Sequence, residues 1–220
     1  MKKGIVIVAG VLVLLGVLVG LNDVAQAQER GLAESYIGGE AGMFSFIFWG
    51  GGPEKDKRVE EILPGLLVQT SLRPTVHLRL TVGYADVLNG ETFVSEWVNP
   101  DTGEIEGRDT INALTMIPID GLLLYYIGRG NVRFYGGAGV GVVIAMGEGT
   151  SEDLIRGGTW DMFERTPYTL SLVGSAGLHL NFRIFTLFGG IGFRVPLGHL
   201  PFPGDMEPGM TAKGGVMIRF

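Results

Sequence analysis

The 220-residue chain contains no cysteine and only three histidines, His77, His179 and His199. Without cysteine there is no disulfide framework and no thiolate metal site. The histidines form no cluster with carboxylates at metal-ligand spacing. Basic residues are also scarce: the formal net charge is −6 and no basic stripe interrupts it, so the whole-chain field repels nucleic acid and that class of partner is excluded. After residue 28 no apolar run is long enough for a transmembrane helix, and apolar residues at 3.6 spacing are hard to find.

Glycine is abundant instead, with 37 residues against a usual share of about 7%. Hydrophobic content is 46% and mean hydropathy is +0.31. The N-terminus accounts for part of this. Lys2 and Lys3 precede an apolar run from Ile5 to Leu21, and Ala25-Gln26-Ala27 supplies the small-residue A-x-A pattern of a signal-peptidase site. Residues 1–27 therefore read as a signal peptide cut after Ala27, with Ala25 and Ala27 as the small residues of the site, and 28–220 as one exported, acidic domain. The competing reading is a retained membrane helix, at the short limit for spanning.

Period two dominates the rest of the chain. In "TVHLRLTVGY", Val76, Leu78, Leu80 and Val82 fall on one side, and His77, Arg79, Thr81 and Gly83 on the other, the pattern of a strand with one apolar face. Such segments recur at about 35–48, 59–71, 75–87, 110–126, 131–146, 166–180, 182–195 and 209–220. Their connections alternate between long and polar, such as "LNGETFVSEWVNPDTGEIEGRD", and very short, such as "RPT" and "IGRGN". Strands cross lipid only in a closed sheet, and an even-numbered up-and-down barrel with short turns on one side and long loops on the other meets that condition. The expected fold is all-β: an eight-stranded antiparallel transmembrane barrel with both termini on the short-turn side, which in a bacterial outer membrane is the periplasm. Phe48 and Trp49 at one level, and Tyr125, Tyr126, Phe134, Tyr135, Phe182, Phe185 and Phe220 at the other, suit the two aromatic girdles of such barrels.

The last segment, "KGGVMIRF", alternates as well. Gly214, Val216, Ile218 and Phe220 are assigned to lipid, and Lys213, Gly215, Met217 and Arg219 to the interior. It resembles the C-terminal assembly signal of bacterial outer-membrane barrels, with Lys213, Gly215, Ile218 and Phe220 at the matching positions. That resemblance implies the insertion machinery as a partner. A wider stretch, "MIPIDGLLLYYIGRGNVRFYGGAGVGVV" (116–143), resembles the fourth strand, turn and fifth strand of the small OmpA-like and OmpX-like barrels. The resemblance implies an eight-stranded barrel over about 34–220 and no single activity; a peptidoglycan-binding domain like that of full-length OmpA-like proteins is not expected. Within it, Gly136, Gly137, Gly139 and Gly141 lack dinucleotide-loop spacing and read as strand glycines that permit curvature.

By alternation Glu40, Glu61, Arg79, Asp120, Arg133, Arg194, Lys213 and Arg219 point inward. Buried charges need partners, so an ion-pair network filling the lumen is expected, with a narrow gated conductance as the alternative. A lipid-modifying enzyme is the less favoured class. A serine hydrolase needs a hydroxyl beside an imidazole, and Ser175 and His179 stand about 13 Å apart along one strand. No catalytic, cofactor or metal residues are assigned. In the second long loop, "TFVSEW" and "EIEGR" around "NPDTG" predict a hairpin above the membrane. Trp97, Trp160 and Phe163 are candidates for contact with a partner or with lipopolysaccharide, or for packing within the loops. Membrane lipid, lipopolysaccharide and an unidentified surface ligand complete the expected partners.

Overall fold

The structure, a computed structural model, describes residues 34–48, 57–99, 101–128, 130–164, 167–198, 205–206 and 209–220, and the side chains of these except 44–48, 57–61 and 205–206. The signal peptide with Ala25 and Ala27, Trp49, His199 and most of the first long loop lie outside the described residues.

Twelve strands follow in chain order: β1 Ser35–Phe48, β2 Lys57–Arg73, β3 Val76–Gly83, β4 Ala85–Asp86, β5 Phe93–Val98, β6 Ile105–Ile127, β7 Val132–Asp153, β8 Gly158–Asp161, β9 Tyr168–Asn181, β10 Phe185–Pro196, β11 Asp205–Met206 and β12 Gly209–Arg219. Eight of them form a ring in the order β1, β2, β3, β6, β7, β9, β10, β12, every pair antiparallel. The ring closes where β1 meets β12, in register from Tyr36↔Arg219 to Gly42↔Lys213. Eight strands in a ring leave no open edge between first and last, as the period-two pattern predicts.

The predicted boundaries hold to within a few residues in most strands. β6 and β7 are the exceptions: they run on to Ile105 and Asp153, past the end of the apolar alternation. There they pair with β5 and β8, so that β5-β6-β7-β8 forms a four-stranded sheet at the long-loop end. The "NPDTG" hairpin is the β5–β6 turn, with Phe93↔Ile111 at its base. At the opposite end the short turn between β6 and β7 places Gly128 at φ 110° and Gly130 at φ 79°, conformations that a Cβ would strain. Phe220 N–H bonds Ser35 C=O at 3.1 Å, so both described chain ends lie on this short-turn side.

Alternation divides the wall cleanly. Outward positions in 37–43, 62–72, 76–82, 113–127, 132–146, 168–180, 185–195 and 210–218 carry no Asp, Glu, Lys, Arg or His. Ile37, Leu66, Leu123, Val140, Leu172 and Ile218 are among the large apolar groups exposed there. Inward, the glycines of β7 face a sharply bent wall: a Cβ on Gly137 or Gly139 would strike the β6 backbone at Leu123–Leu124 or Gly121–Leu122. Close approach of two backbones fixes those residues as glycine, in keeping with the curvature reading.

Candidate functional site

The lumen is filled in layers. The lowest surrounds Arg79, whose side chain is fully buried. β3 delivers it inward between His77 and Thr81, as its alternating burial requires. Its Nε donates to Gln69 Oε1 at 2.9 Å and its Nη2 to His179 Nε2 at 3.0 Å. A guanidinium has no acceptor, so His179 Nε2 must be bare and the imidazole neutral with its proton on Nδ1. Tyr126 Oη lies 3.2 Å from Gln69 Oε1, and Gln69 Nε2 lies 3.2 Å from His77 Nδ1. Arg79 Cζ stands 5.2 Å from the Tyr135 ring centre and 4.7 Å from that of Phe188, within cation–π range. Tyr36, Leu67 and Met217 pack beside Phe188, and Leu122, Leu124 and Val173 beside Tyr126 and Tyr135. These side chains crowd the lumen at this level.

Higher in the lumen, Arg194 Nη2 reaches both oxygens of Asp120, at 2.7 and 2.8 Å. Gly141 makes the space, since a Cβ there would meet Asp120 Oδ1 and come within 3.1 Å of Arg194 Nη1. Glu40 and Lys213 line the same cavity of about 140 Å³. Above it lies an apolar cluster that includes Val87, Leu88, Phe93, Ile111, Leu114, Met116 and Phe163.

Among the described residues, the charged groups assigned to the interior therefore do not form one network. Glu40, Asp120, Arg194 and Lys213 gather around the cavity, whereas Arg79 lies lower and is held by neutral amide, imidazole and aromatic groups. Arg133 stands opposite His179 on β9, its Nε buried without a hydrogen-bond partner. Arg219 pairs at 3.2 Å with Glu34, a residue absent from the expected set, at the exposed lower rim. The side chain of Glu61 lies outside those described; its backbone pairs with Phe44. Of the charges that sequence alternation assigned inward, the structure places Glu40, Asp120, Arg194 and Lys213 on the cavity and Arg79 below it. The alternation did not single out Gln69, Tyr126, Tyr135 and Phe188, because uncharged and aromatic inward residues carry no signal separating a plug from an ordinary wall.

Of the aromatics assigned to the lower girdle, Tyr125, Phe134, Phe182 and Phe220 are exposed outward, and Phe182 stacks on Phe185 at 4.5 Å. Tyr126 and Tyr135 are buried inside, since adjacent residues of a strand face opposite ways. Within the assembly segment, Gly215 pairs with Glu40 and Phe188, and Ile218 with Ile37 and Phe185. Lys213 pairs with Gly42 and Gly190.

On the outer sheet, Phe163 is buried in the apolar cluster and so is no surface contact. Trp97 and Trp160 remain about half exposed, their rings 6.2 Å apart, and Trp97 Nε1 donates to Asp109 Oδ2 at 2.7 Å. Gly107 leaves room for the Trp97 ring.

No family model matches the chain, and no curated protein matches it in sequence. Solved structures do. Neisserial surface protein A matches with a TM-score of 0.52 at 10% identity, over 86% of this chain and 99% of that one. The fold is that of the small eight-stranded outer-membrane β-barrels. OprG of Pseudomonas aeruginosa matches at TM-score 0.47 and 13% identity, over 86% of this chain and 96% of that one. The attachment invasion locus protein Ail of Yersinia pestis matches at 0.43 and 13%, over 85% and 99%. The closed ring of eight strands matches that architecture.

Proposed function

We propose that this chain spans a bacterial outer membrane, with Ser35 and Phe220 on the periplasmic side, and acts through its outer sheet as a structural or surface-interaction protein. The uncharged outer wall carries the reading. From Leu170 to Leu180 the outward side is apolar for ten steps, about 33 Å of strand and about 25 Å of height at a ~40° tilt, the depth of the hydrocarbon such barrels cross. Water-soluble monomers rarely expose apolar patches above a few hundred Å². In this reading membrane lipid and lipopolysaccharide surround the wall, and the insertion machinery reads Lys213, Gly215, Ile218 and Phe220. Trp97 and Trp160 then face the cell exterior.

The filled layer around Arg79 favours this over a channel. Against the serine-hydrolase version of an enzyme, Ser71 Oγ accepts from Glu34 N at 2.8 Å and Ser175 Oγ donates to Ile191 O at 3.4 Å, so both serines are engaged by backbone groups. The test is expression in Gram-negative cells followed by fractionation and planar-bilayer recording. The chain is expected in the outer-membrane fraction, with its outer sheet cleaved by protease added to whole cells and no discrete conductance steps. A soluble product overturns the membrane reading; regular steps overturn the closed lumen.

A further inference from the structure

The outer sheet carries both its tryptophans on one face. Alternation along β5 sets Phe93, Ser95 and Trp97 on the same side, and the ladders align Ser95, Asp109, Ser151 and Trp160 in one row across β5, β6, β7 and β8. Phe93 and Ile111 on that face belong to the apolar cluster nearer the membrane. Trp97 stands one row further out, opposite Gly107, and leans across that glycine to donate to Asp109. Its ring and that of Trp160 thus converge from the two edges of the sheet, 6.2 Å apart and tilted by 44°.

The cluster buries Phe93 and Phe163, yet Trp97 and Trp160 stay 40% and 47% exposed. Next to them Asp109 and Ser151 are only 3% and 2% exposed, and Asp109 Oδ1 and Ser151 Oγ have no hydrogen-bond partner. Among the described residues no cation pairs with Asp109. A buried carboxylate left this way calls for positive charge close by. The charge around the pair also has one sign. Segments 88–111 and 147–164 carry six and five acidic residues against one arginine each, Arg108 and Arg156. Arg108 is already engaged, bonded to Glu96 at 2.8 Å with Glu152 opposite it on β7. Such a field repels anionic glycans and gathers cations.

We infer that the Trp97–Trp160 pair docks an arginine-bearing segment of a basic partner protein, whose guanidinium stacks on an exposed indole face. Tryptophan is the best aromatic partner for a cation, and arginine meets it more often than lysine does. The guanidinium is planar and weakly hydrated, so it lies flat on a ring at little desolvation cost and keeps its edge free for carboxylates. Asp109 strengthens the site from behind. Held against the indole N–H, its charge lies within a few ångströms of the ring, where the attraction for a stacked cation is largest. A neutral sugar could cover the same rings, but it gains nothing from the acidic field or from the charge of Asp109. The inference rests on the surface role proposed for the outer sheet and names the chemistry of its partner.

The test titrates a fluorescent peptide of alternating Arg and Ser with the full chain in phosphatidylcholine nanodiscs, whose lipid carries no net charge, and reads anisotropy. Saturable binding is expected, about tenfold weaker when Trp97→Leu and Trp160→Leu are combined, and about threefold weaker for a matched Lys-Ser peptide. Asp109→Asn keeps an oxygen for the Trp97 indole and so keeps the local fold; it is expected to weaken binding about threefold through charge alone. Asp101→Asn with Glu104→Gln, at the exposed tip of the hairpin, removes twice the charge and is expected to matter less, being further from the rings. An equal or larger loss from the tip variant would reduce the site to a diffuse field and overturn the inference, as would unchanged binding in the double tryptophan variant or equal affinity for the lysine peptide. Displacement of the peptide by maltoheptaose would make the pair a glycan platform and overturn it too. A chain whose outer sheet is cleaved on whole cells but which binds no peptide saturably sinks this inference alone; a sheet that added protease cannot reach sinks the surface role and this inference together.

Discussion

Removing Asp120 leaves Arg194 largely buried without its ion-pair partner. One nitrogen of Arg194 holds both carboxylate oxygens at 2.7 and 2.8 Å, and the side chains are only 16% and 18% exposed. Unit charges about 4 Å apart attract by about 4 kcal/mol at an effective dielectric near 20. Desolvation of both ions offsets much of this, while deletion of one partner of a fully buried pair costs about 3–5 kcal/mol. Residual exposure and the neighbouring Glu40 and Lys213 lower the figure, so Asp120→Ala and Arg194→Ala should each cost about 2–3 kcal/mol. The double variant buries no unpaired partner and should cost about the same as either single one. The resulting coupling, about 2 kcal/mol, is readable from urea unfolding of the refolded barrel in lipid vesicles, followed by loss of β-sheet circular dichroism. Single effects that add to within about 0.5 kcal/mol would refute the claim that the pair acts as a unit.

Gly141→Val should cost about 1–3 kcal/mol through overpacking in the same assay and remove most of that coupling, because the new side chain occupies the ion pair's space; an undisturbed cycle would contradict the assigned packing. Arg79→Ala should open the lowest layer, so discrete conductance steps absent from the wild type should appear in planar bilayers. Phe220→Ala, or deletion of Phe220, should leave unassembled protein in the periplasm, and normal outer-membrane yield for both variants would refute the assembly-signal reading. Trp97→Ala with Trp160→Ala should reduce binding of whole cells to a surface partner by tenfold or more without changing membrane yield.

The barrel was legible because its walls obey one rule: in β3 each residue assigned outward, from Val76 to Val82, alternates with one assigned inward, and the structure keeps that order. Legibility failed where the two sides stop differing. "GEGTSED" has only small or polar residues on both faces, because its inner face, with Gly147 and Gly149 under Phe163 and Ser151 buried, is covered by a side chain from elsewhere; its continuation as β7 and its return as β8 therefore left no apolar alternation to read. Tyr126 and Tyr135 were misplaced for a related reason: an aromatic near a strand end suits a girdle or an interior equally, and only register decides. The lumen was half visible. Asp120 and Arg194 are 74 residues apart in sequence, and alternation shows that both point inward but not that they meet. Gln69 and His179 were harder still, being neutral partners of a buried cation that the sequence suggested should find a carboxylate.

A chain without cysteine allows single spin labels to be placed at will. Labels stepped through residues 170–180, read by collision with dissolved oxygen against a water-soluble nickel chelate, test the wall itself. Even-numbered sites should be oxygen-accessible and shielded from nickel, with odd-numbered sites protected from both. High nickel accessibility at Leu170, Leu172 and Leu178, or an absence of period two, would contradict a closed barrel set in lipid.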